Sequence, residues 1–336
     1  MPSIKKILIK KFGIQRFELI KAATLLPALL RDSVYDFSRF LRSRLNTEEI
    51  IRARITMDYH RIEKGLALKD TRIGFGQETV MRLIDNLYAY NAIAGVDTLV
   101  TIAVQTLAAY SEFHAVNGGA DPSLETKIAE LRKICQTNVR HADSGYKWVD
   151  KREVHEQAVC DLSPFFLSRY SVRDFSEQEV ALKLVERAMQ MAVKTPSVCN
   201  RQAWRVYLFH QKDDILKVLA LQNGNRGFRE QVPLVAVVTC DRSAFVTPDE
   251  RNQAWVDGGM FSMSLVYALH SLGLGSCCLN WSVGKSQDVK LKQLTGIPET
   301  DAVIMMIAIG HLPETFKVAC SPRKEVHTFL KINSLS

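Results

Sequence analysis

Two guanidinium groups and a hydroxyl fall within five residues at Arg169-Tyr170-Ser171-Val172-Arg173. That set suits a phosphate, because guanidinium forks supply both charge and a planar pair of donors. The stretch precedes a helical pattern, and a helix start would add backbone N–H donors. A second segment, Pro196-Ser197-Val198-Cys199-Asn200 followed by Gln202 and Trp204, joins small and polar residues to a strand. Such a surface can lie against a flat ring. The bland alternatives are a capped helix with surface arginines for the first, and a helix-to-strand loop with Asn200 as a turn residue for the second.

Other chemistry is poorly supported. The seven cysteines, Cys135, Cys160, Cys199, Cys240, Cys277, Cys278 and Cys320, include no C-x-x-C pair, so they read as small buried hydrophobes rather than a disulfide framework or zinc site. Cys277 and Cys278 are adjacent and should face opposite sides of a strand. The eight histidines show no ligand spacing, and no metal is expected. No Walker loop or Gly-x-Gly-x-x-Gly fingerprint occurs; Gly224 and Gly227 lack the strand-then-glycine order of a dinucleotide site.

The elements that must position these residues change character near Leu162-Ser163-Pro164. Before that point the pattern is helical: Thr47 to about Gly65, Gln77 to Ala94 with an apolar stripe, Thr98 to Val116, and Ser123 to about Val139. A boundary falls in the charged stretch from Asp143 to Cys160. After it, helices and strands alternate. Ser176 with Glu179 reads as a capping box opening a helix to about Lys194. Strands are expected at Trp204–His210, Leu234–Cys240, Gly275–Leu279 and Ala302–Ile309, with helices at Asp213–Leu221, Thr247–Ser271 and Ser286–Thr295. The fold class is α+β, a mixed sheet flanked by helices. Residues 1–160 form a mostly helical extension, and residues 161–336 hold the sheet.

From Phe165 to about Leu330 the chain resembles the nitroreductase family of flavin enzymes, through four landmarks in order. The resemblance implies that Arg169, Tyr170, Ser171 and Arg173 serve FMN. Arg169 and Ser171 would lie toward the phosphate and ribityl side, and Arg173 at the flavin N1/O2 edge. There a positive charge stabilises the reduced, anionic ring. It implies that Pro196, Ser197, Val198 and Asn200 cover the flavin of a neighbouring subunit, making the enzyme a homodimer with FMN at the interface. The third landmark, Asn223-Gly224-Asn225-Arg226-Gly227-Phe228, would offer Asn225 to the pyrimidine edge, though Asn-Gly is also a common turn. The fourth, Gly273 to Trp281, would supply a backbone N–H to flavin N5 from Asn280 or Trp281. Trp281 departs from relatives with glycine here and offers a pocket wall as its alternative role. Arg323, in the pair Arg323-Lys324, would close over the phosphate, unless the pair is a solvated one. NAD(P)H would then act as a diffusible co-substrate, and the acceptor would be a small organic molecule, with nitro compounds and quinones tolerated. No catalytic side chain is expected.

The front half carries Asp58-Tyr59-His60-Arg61-Ile62-Glu63-Lys64-Gly65. It resembles nitroreductase-like proteins with a helical extension that are often associated with surface-polysaccharide genes. Here His60, Arg61, Glu63 and Lys64 are either lid residues that reach the flavin face or charged pairs at a helix end. The net charge is +8, and Lys5, Lys6, Lys10, Lys11, Arg16 and Lys21 face only Glu18 at the front. That front reads as a solvated helix face, as an attraction to an anionic membrane surface using Ile4, Ile7, Leu8, Phe12, Phe17 and Ile20, or as a nucleic-acid contact. No reading module accompanies the last, so no nucleic-acid partner is expected. No run reaches the ~18 apolar residues of a spanning helix, and no signal peptide is evident. The expected location is the cytoplasm, with peripheral contact at the inner membrane face left open. Two rivals to an FMN-dependent NAD(P)H oxidoreductase remain: the same fold with other flavin chemistry, and a flavin-holding or flavin-free accessory protein in envelope polysaccharide assembly.

Overall fold

In the computed structural model, which describes residues 4–135 and 144–333, the first half is helical. Its helices are α1 (Ile4–Ser43), α2 (Thr47–Leu66), α3 (Gln77–Ala94), α4 (Thr98–Val116) and α5 (Pro122–Cys135). The continuation of α5 expected over 136–139 lies outside the described residues, as does residue 143, where the charged boundary stretch begins. Two short helices, α6 (Lys151–Ala158) and α7 (Ser163–Leu167), lead into the second half.

Helices α2 to α5 build a core of their own. The apolar stripe of α3, Val80, Leu83, Ile84 and Leu87, meets Ile55 and Ile62 of α2 and Leu107 of α4, all buried. Asn46 and Asp97 cap α2 and α4 by accepting from Glu49 N and Val100 N, which satisfies donors that a helix start leaves open.

The second half is built on four strands, β1 (Trp204–Phe209), β2 (Leu234–Asp241), β3 (Leu274–Asn280) and β4 (Asp301–His311), in the order β1-β2-β4-β3. All three pairings are antiparallel, and the parallel component of the sheet is a single bridge between Ser171 and Ser276. Every residue of β2 is buried, as befits a central strand covered on both faces. On one face lie α8 (Leu182–Ala192) and α10 (Gln253–Ser271), and on the other α9 (Lys212–Ala220) and α11 (Lys285–Thr295).

Two helix starts differ from expectation. Helix α8 begins at Leu182 rather than Ser176, without a capping box. The upstream backbone is tied to the sheet instead: Val172 N donates to Ser276 O (2.9 Å) and Ser176 N to His311 O (3.0 Å). The Thr247/Glu250 capping box forms, but it closes one 3₁₀ turn, and α10 starts at Gln253.

The extension is clasped to the sheet half by the end of α1. Tyr35 Oη donates to Asp288 (2.8 Å), Arg42 pairs with Glu299 (2.6 Å) and Arg242 pairs with Asp36 (2.9 Å). Among the described residues no helix is long and apolar enough to cross a membrane.

Candidate functional site

The segment 169–175 lies in extended form along β3, not at the mouth of a helix. Its helix-start donors are therefore absent, and the sheet positions it. Val172 and Phe175 are buried against two glycines. A Cβ on Gly275 would come within 3.2 Å of Val172, and one on Gly310 within 2.5 Å of Phe175. Only glycine allows this approach. Alternation then turns Ser171 and Arg173 outward, where both are exposed, while Arg169 is half-buried.

Arg169 and Arg173 have no carboxylate partner among the described residues; Arg173 Nη1 makes one long contact with Ser171 O (3.4 Å). Both act on β3. Burial raises the Cys277 thiol pKa and the Arg173 charge pulls it back. Desolvation, then the neighbouring Cys277, raises that of Cys278, and Arg169 opposes them. Cys277 is buried and Cys278 exposed, the opposite-face arrangement expected of adjacent strand residues. The wider expectation of buried cysteines holds for Cys135, Cys240 and Cys277, whereas Cys160, Cys278 and Cys320 are exposed and Cys199 is intermediate.

Strand β3 is an edge strand with a short open stretch. Ser276 O accepts from Val172 N, and Asn280 O accepts from Gln222 Nε2 (3.1 Å), so both carbonyls face away from β4. By the alternation of antiparallel pairs, the main-chain groups of Cys278 and Asn280 face the same free edge. Of the two candidate backbone donors, Asn280 therefore turns its N–H outward. Trp281 does something else: its Nε1 donates to Asp288 (3.0 Å), and its ring packs half-buried on the core under β3.

Asn225 is linked to this edge but does not face it. It is 1% exposed, and its Nδ2 donates to Leu219 O (2.6 Å), Gln222 O (2.9 Å) and Gln222 Oε1 (2.9 Å). Its Oδ1 is enclosed with no partner. Asn225 thus sets the turn that delivers Gln222 to Asn280. Gln222 is the residue that sequence reasoning missed here; it stands directly before the Asn223-Gly224 turn. Arg323 is exposed, and its Nη1 donates to Ser321 O (2.6 Å).

The Pro196–Asn200 loop lies at the opposite edge, just before β1. Three strand spacings, roughly 14 Å, separate the two edges. Here the backbone is strained: Cys199, Asn200 and Gln202 all have positive φ, at 48°, 55° and 48°. Asn tolerates that region, but Cys and Gln do not favour it, at about 1–3 kcal/mol each. Several partners hold it. Val198 N donates to both oxygens of Asp257 (3.4 and 3.2 Å), Gln202 N to Ser197 Oγ (3.0 Å), and the fully buried Arg201 guanidinium to Ala244 O (2.6 Å) and the Glu250 carboxylate. Burial pushes the Asp257 carboxyl above its ordinary pKa.

Helix α2 leans on this loop. The Tyr59 side chain, 6% exposed, lies beside Asn200, and its burial raises the phenol pKa. The charged pairs expected at a helix end are present as well: His60 Nδ1 with Glu63 (3.2 Å), and Arg61 with Asp58 (3.7 Å). Lys64 is exposed. Further along β1, Arg205 pairs with Glu49 (3.6 Å), Asp241 (2.8 Å) and Asp301 (2.6 Å), tying α2 to the sheet. Nothing in the local sequence signals the proximity of Tyr59 to Asn200, since the two lie in different halves of the chain.

The Nitroreductase family model matches residues 167–225 and 217–311 of this chain. A protein of Methanothermobacter thermautotrophicus, provisionally named an NADH dehydrogenase/NAD(P)H nitroreductase, is 24% identical over 148 residues, covering 44% of this chain and 75% of its own. Among solved structures, an FMN-dependent nitroreductase from Clostridium difficile is 21% identical with a TM-score of 0.43, over 51% of this chain and 98% of its own. A provisionally named nitroreductase from Desulfovibrio desulfuricans in complex with FMN is 19% identical with a TM-score of 0.44, over 53% and 99%. None of these names mentions a polysaccharide.

Proposed function

We propose that the chain, whose residues 167–311 match the Nitroreductase family model, is an FMN-dependent oxidoreductase using NAD(P)H as a diffusible co-substrate. The observation that carries the proposal is the pair of guanidinium groups, Arg169 and Arg173, that have no carboxylate partner among the described residues and act on the edge strand β3. Accessible cations without carboxylate partners can hold an anion, and the groups around them suit a ring with a phosphate tail.

Bound FMN would supply hydride chemistry, taking a hydride from a nicotinamide and passing it to a small organic acceptor. The chain's own part is positional and electrostatic. Arg169 and Ser171 hold the phosphate side. Arg173 places positive charge where negative charge develops, and Asn280 N–H offers a main-chain donor at the free edge. Pro196 to Asn200 stand too far from these groups to share a ring within one chain. In the proposal, this loop serves the site of a partner subunit, and the active unit is a homodimer with two sites. Arg323, exposed and without a carboxylate partner among the described residues, joins the phosphate side in this reading.

The decisive experiment is an anaerobic titration of the purified protein with NADH and with NADPH. The expected protein is yellow, bleaches with at least one nicotinamide, and regains colour when a nitroaromatic or quinone is added. A protein that is colourless and monomeric, and remains so after incubation with excess FMN, overturns the proposal.

A further inference from the structure

Helix α1 runs forty residues, about 60 Å, and the contacts with the sheet half described above fall in its final turns. Tyr35, Arg39 and Ser43 are buried at the clasp described above. Upstream, every residue from Ala22 to Leu30 is exposed. Leu25, Leu26, Leu29 and Leu30 are 52%, 53%, 60% and 57% exposed, in a run with no charge between Lys21 and Arg31. On the other side of the helix from the clasp, Val34, Phe37 and Leu41 continue the apolar surface at 66%, 61% and 51% exposure. A helix apolar around its whole circumference belongs in a core or in lipid. One standing alone in water gains little from its own hydrogen bonds.

Charge selects what covers it. The first 21 residues carry Lys5, Lys6, Lys10, Lys11, Arg16 and Lys21 against Glu18 alone. Two such arms paired side by side would bring like charges together. An anionic bilayer meets both requirements, with leucines entering the acyl boundary and cations reaching the headgroups. Lys21 and Arg31 bracket the leucines about 15 Å apart along the helix. The helix is too short in apolar length to cross, so it lies in the interface. Pro27 removes one N–H from the ladder and leaves a carbonyl that interfacial water can reach. We propose that α1 is an arm that docks this protein on membrane surfaces rich in anionic lipid.

The test is cosedimentation of the full chain with phosphatidylcholine vesicles, with and without phosphatidylglycerol. Binding to the anionic vesicles is expected to be at least about tenfold tighter, with the advantage shrinking as salt rises. Lys10→Gln with Lys11→Gln weakens it roughly thirtyfold. Leu26→Asp with Leu30→Asp abolishes pelleting while the near-ultraviolet circular dichroism stays unchanged. Three outcomes overturn the proposal: no pelleting with anionic vesicles, equal binding to both lipids, or a mass halved by Leu26→Asp/Leu30→Asp in sedimentation, which assigns the surface to a second copy. If a variant fails to fold, the salt titration of the unaltered chain still decides. Vesicle binding needs no flavin, so its failure is distinct from failure of the flavin proposal.

Discussion

The two edges of the sheet use arginine in opposite ways. At the β1 edge, Arg201 and Arg205 are fully engaged, by Glu250 and Ala244 O in one case and by Glu49, Asp241 and Asp301 in the other. At the β3 edge, Arg169 and Arg173 have no carboxylate among the described residues. A buried, paired cation holds structure, and removing one partner leaves a charge without compensation. A half-exposed, unpaired cation contributes little to folding and remains available to a ligand. The same residue type therefore marks scaffold at one edge and site at the other.

The sharpest way to break that contrast is Arg201→Ala. Its guanidinium is 0% exposed, and its loss strands Glu250 and releases the strained 199–202 turn. The expected cost is about 3–5 kcal/mol, read by urea unfolding. A cost under about 1 kcal/mol would mean that the β1 edge is no more structural than the other.

Two carboxylates, the buried Asp257 and the partly buried Asp288, sharpen the comparison through pH. Burial raises Asp288, but Lys292 and the hydrogen bonds from Trp281 and Tyr35 outweigh it and hold the pKa below the ordinary 3.8. Its native state binds a proton less readily than the unfolded chain. Its contribution is therefore present above the unfolded value and lost as pH falls through the depressed native one. Asp288→Asn should cost roughly 3 kcal/mol near neutrality and progressively less in acid. Asp257 has the opposite sign: burial dominates and its pKa is raised above 3.8. Its favourable contribution is complete below 3.8 and is lost as pH rises through the native value. Asp257→Asn should remove that loss. Unfolding curves at stepped pH separate the two, and slopes of the same sign would defeat the assignment.

Close approach gives a smaller effect. Gly310→Ala sets a Cβ within 2.5 Å of Phe175 and 2.9 Å of Pro233. The expected cost is ~1–3 kcal/mol from overpacking. Because Phe175 anchors the arginine segment, anion binding should weaken as well. Loss of stability with unchanged flavin content would show that the segment is held by other contacts.

What the sequence made legible follows this division. Helices α2, α3 and α4 and all four strands lie where periodicity places them, because each buries one stripe or face and the pattern records it. The start of α8 was not legible. Ser176 and Glu179 have the spacing of a cap, but the Ser176 N–H is engaged by His311 O, a partner far along the chain. Gly65 reads as a helix end and lies one residue inside the end of α2, and its missing side chain also makes room for the Phe75 ring. The candidate site divides the same way. Its residue types are written locally in 169–173 and 196–200, but their separation onto two edges, the burial of Asn225 and the reach of Tyr59 to Asn200 come from tertiary packing.

Arg173→Ala carries the smallest expected change in stability and decides the most about the site. The side chain is exposed and its one protein contact is long, so unfolding should shift by no more than about 0.5 kcal/mol. Flavin retention should fall about tenfold or more, since a charge-assisted hydrogen bond contributes about 1.5–3 kcal/mol. Arg173→Lys keeps the charge but loses the planar fork, and should recover only part of the affinity. The pair of measurements tests the contrast from its weak side. An Arg173→Ala protein destabilised as much as Arg201→Ala, with its flavin content unchanged, would make the β3 arginines scaffold too and leave this edge without a claim to the ligand.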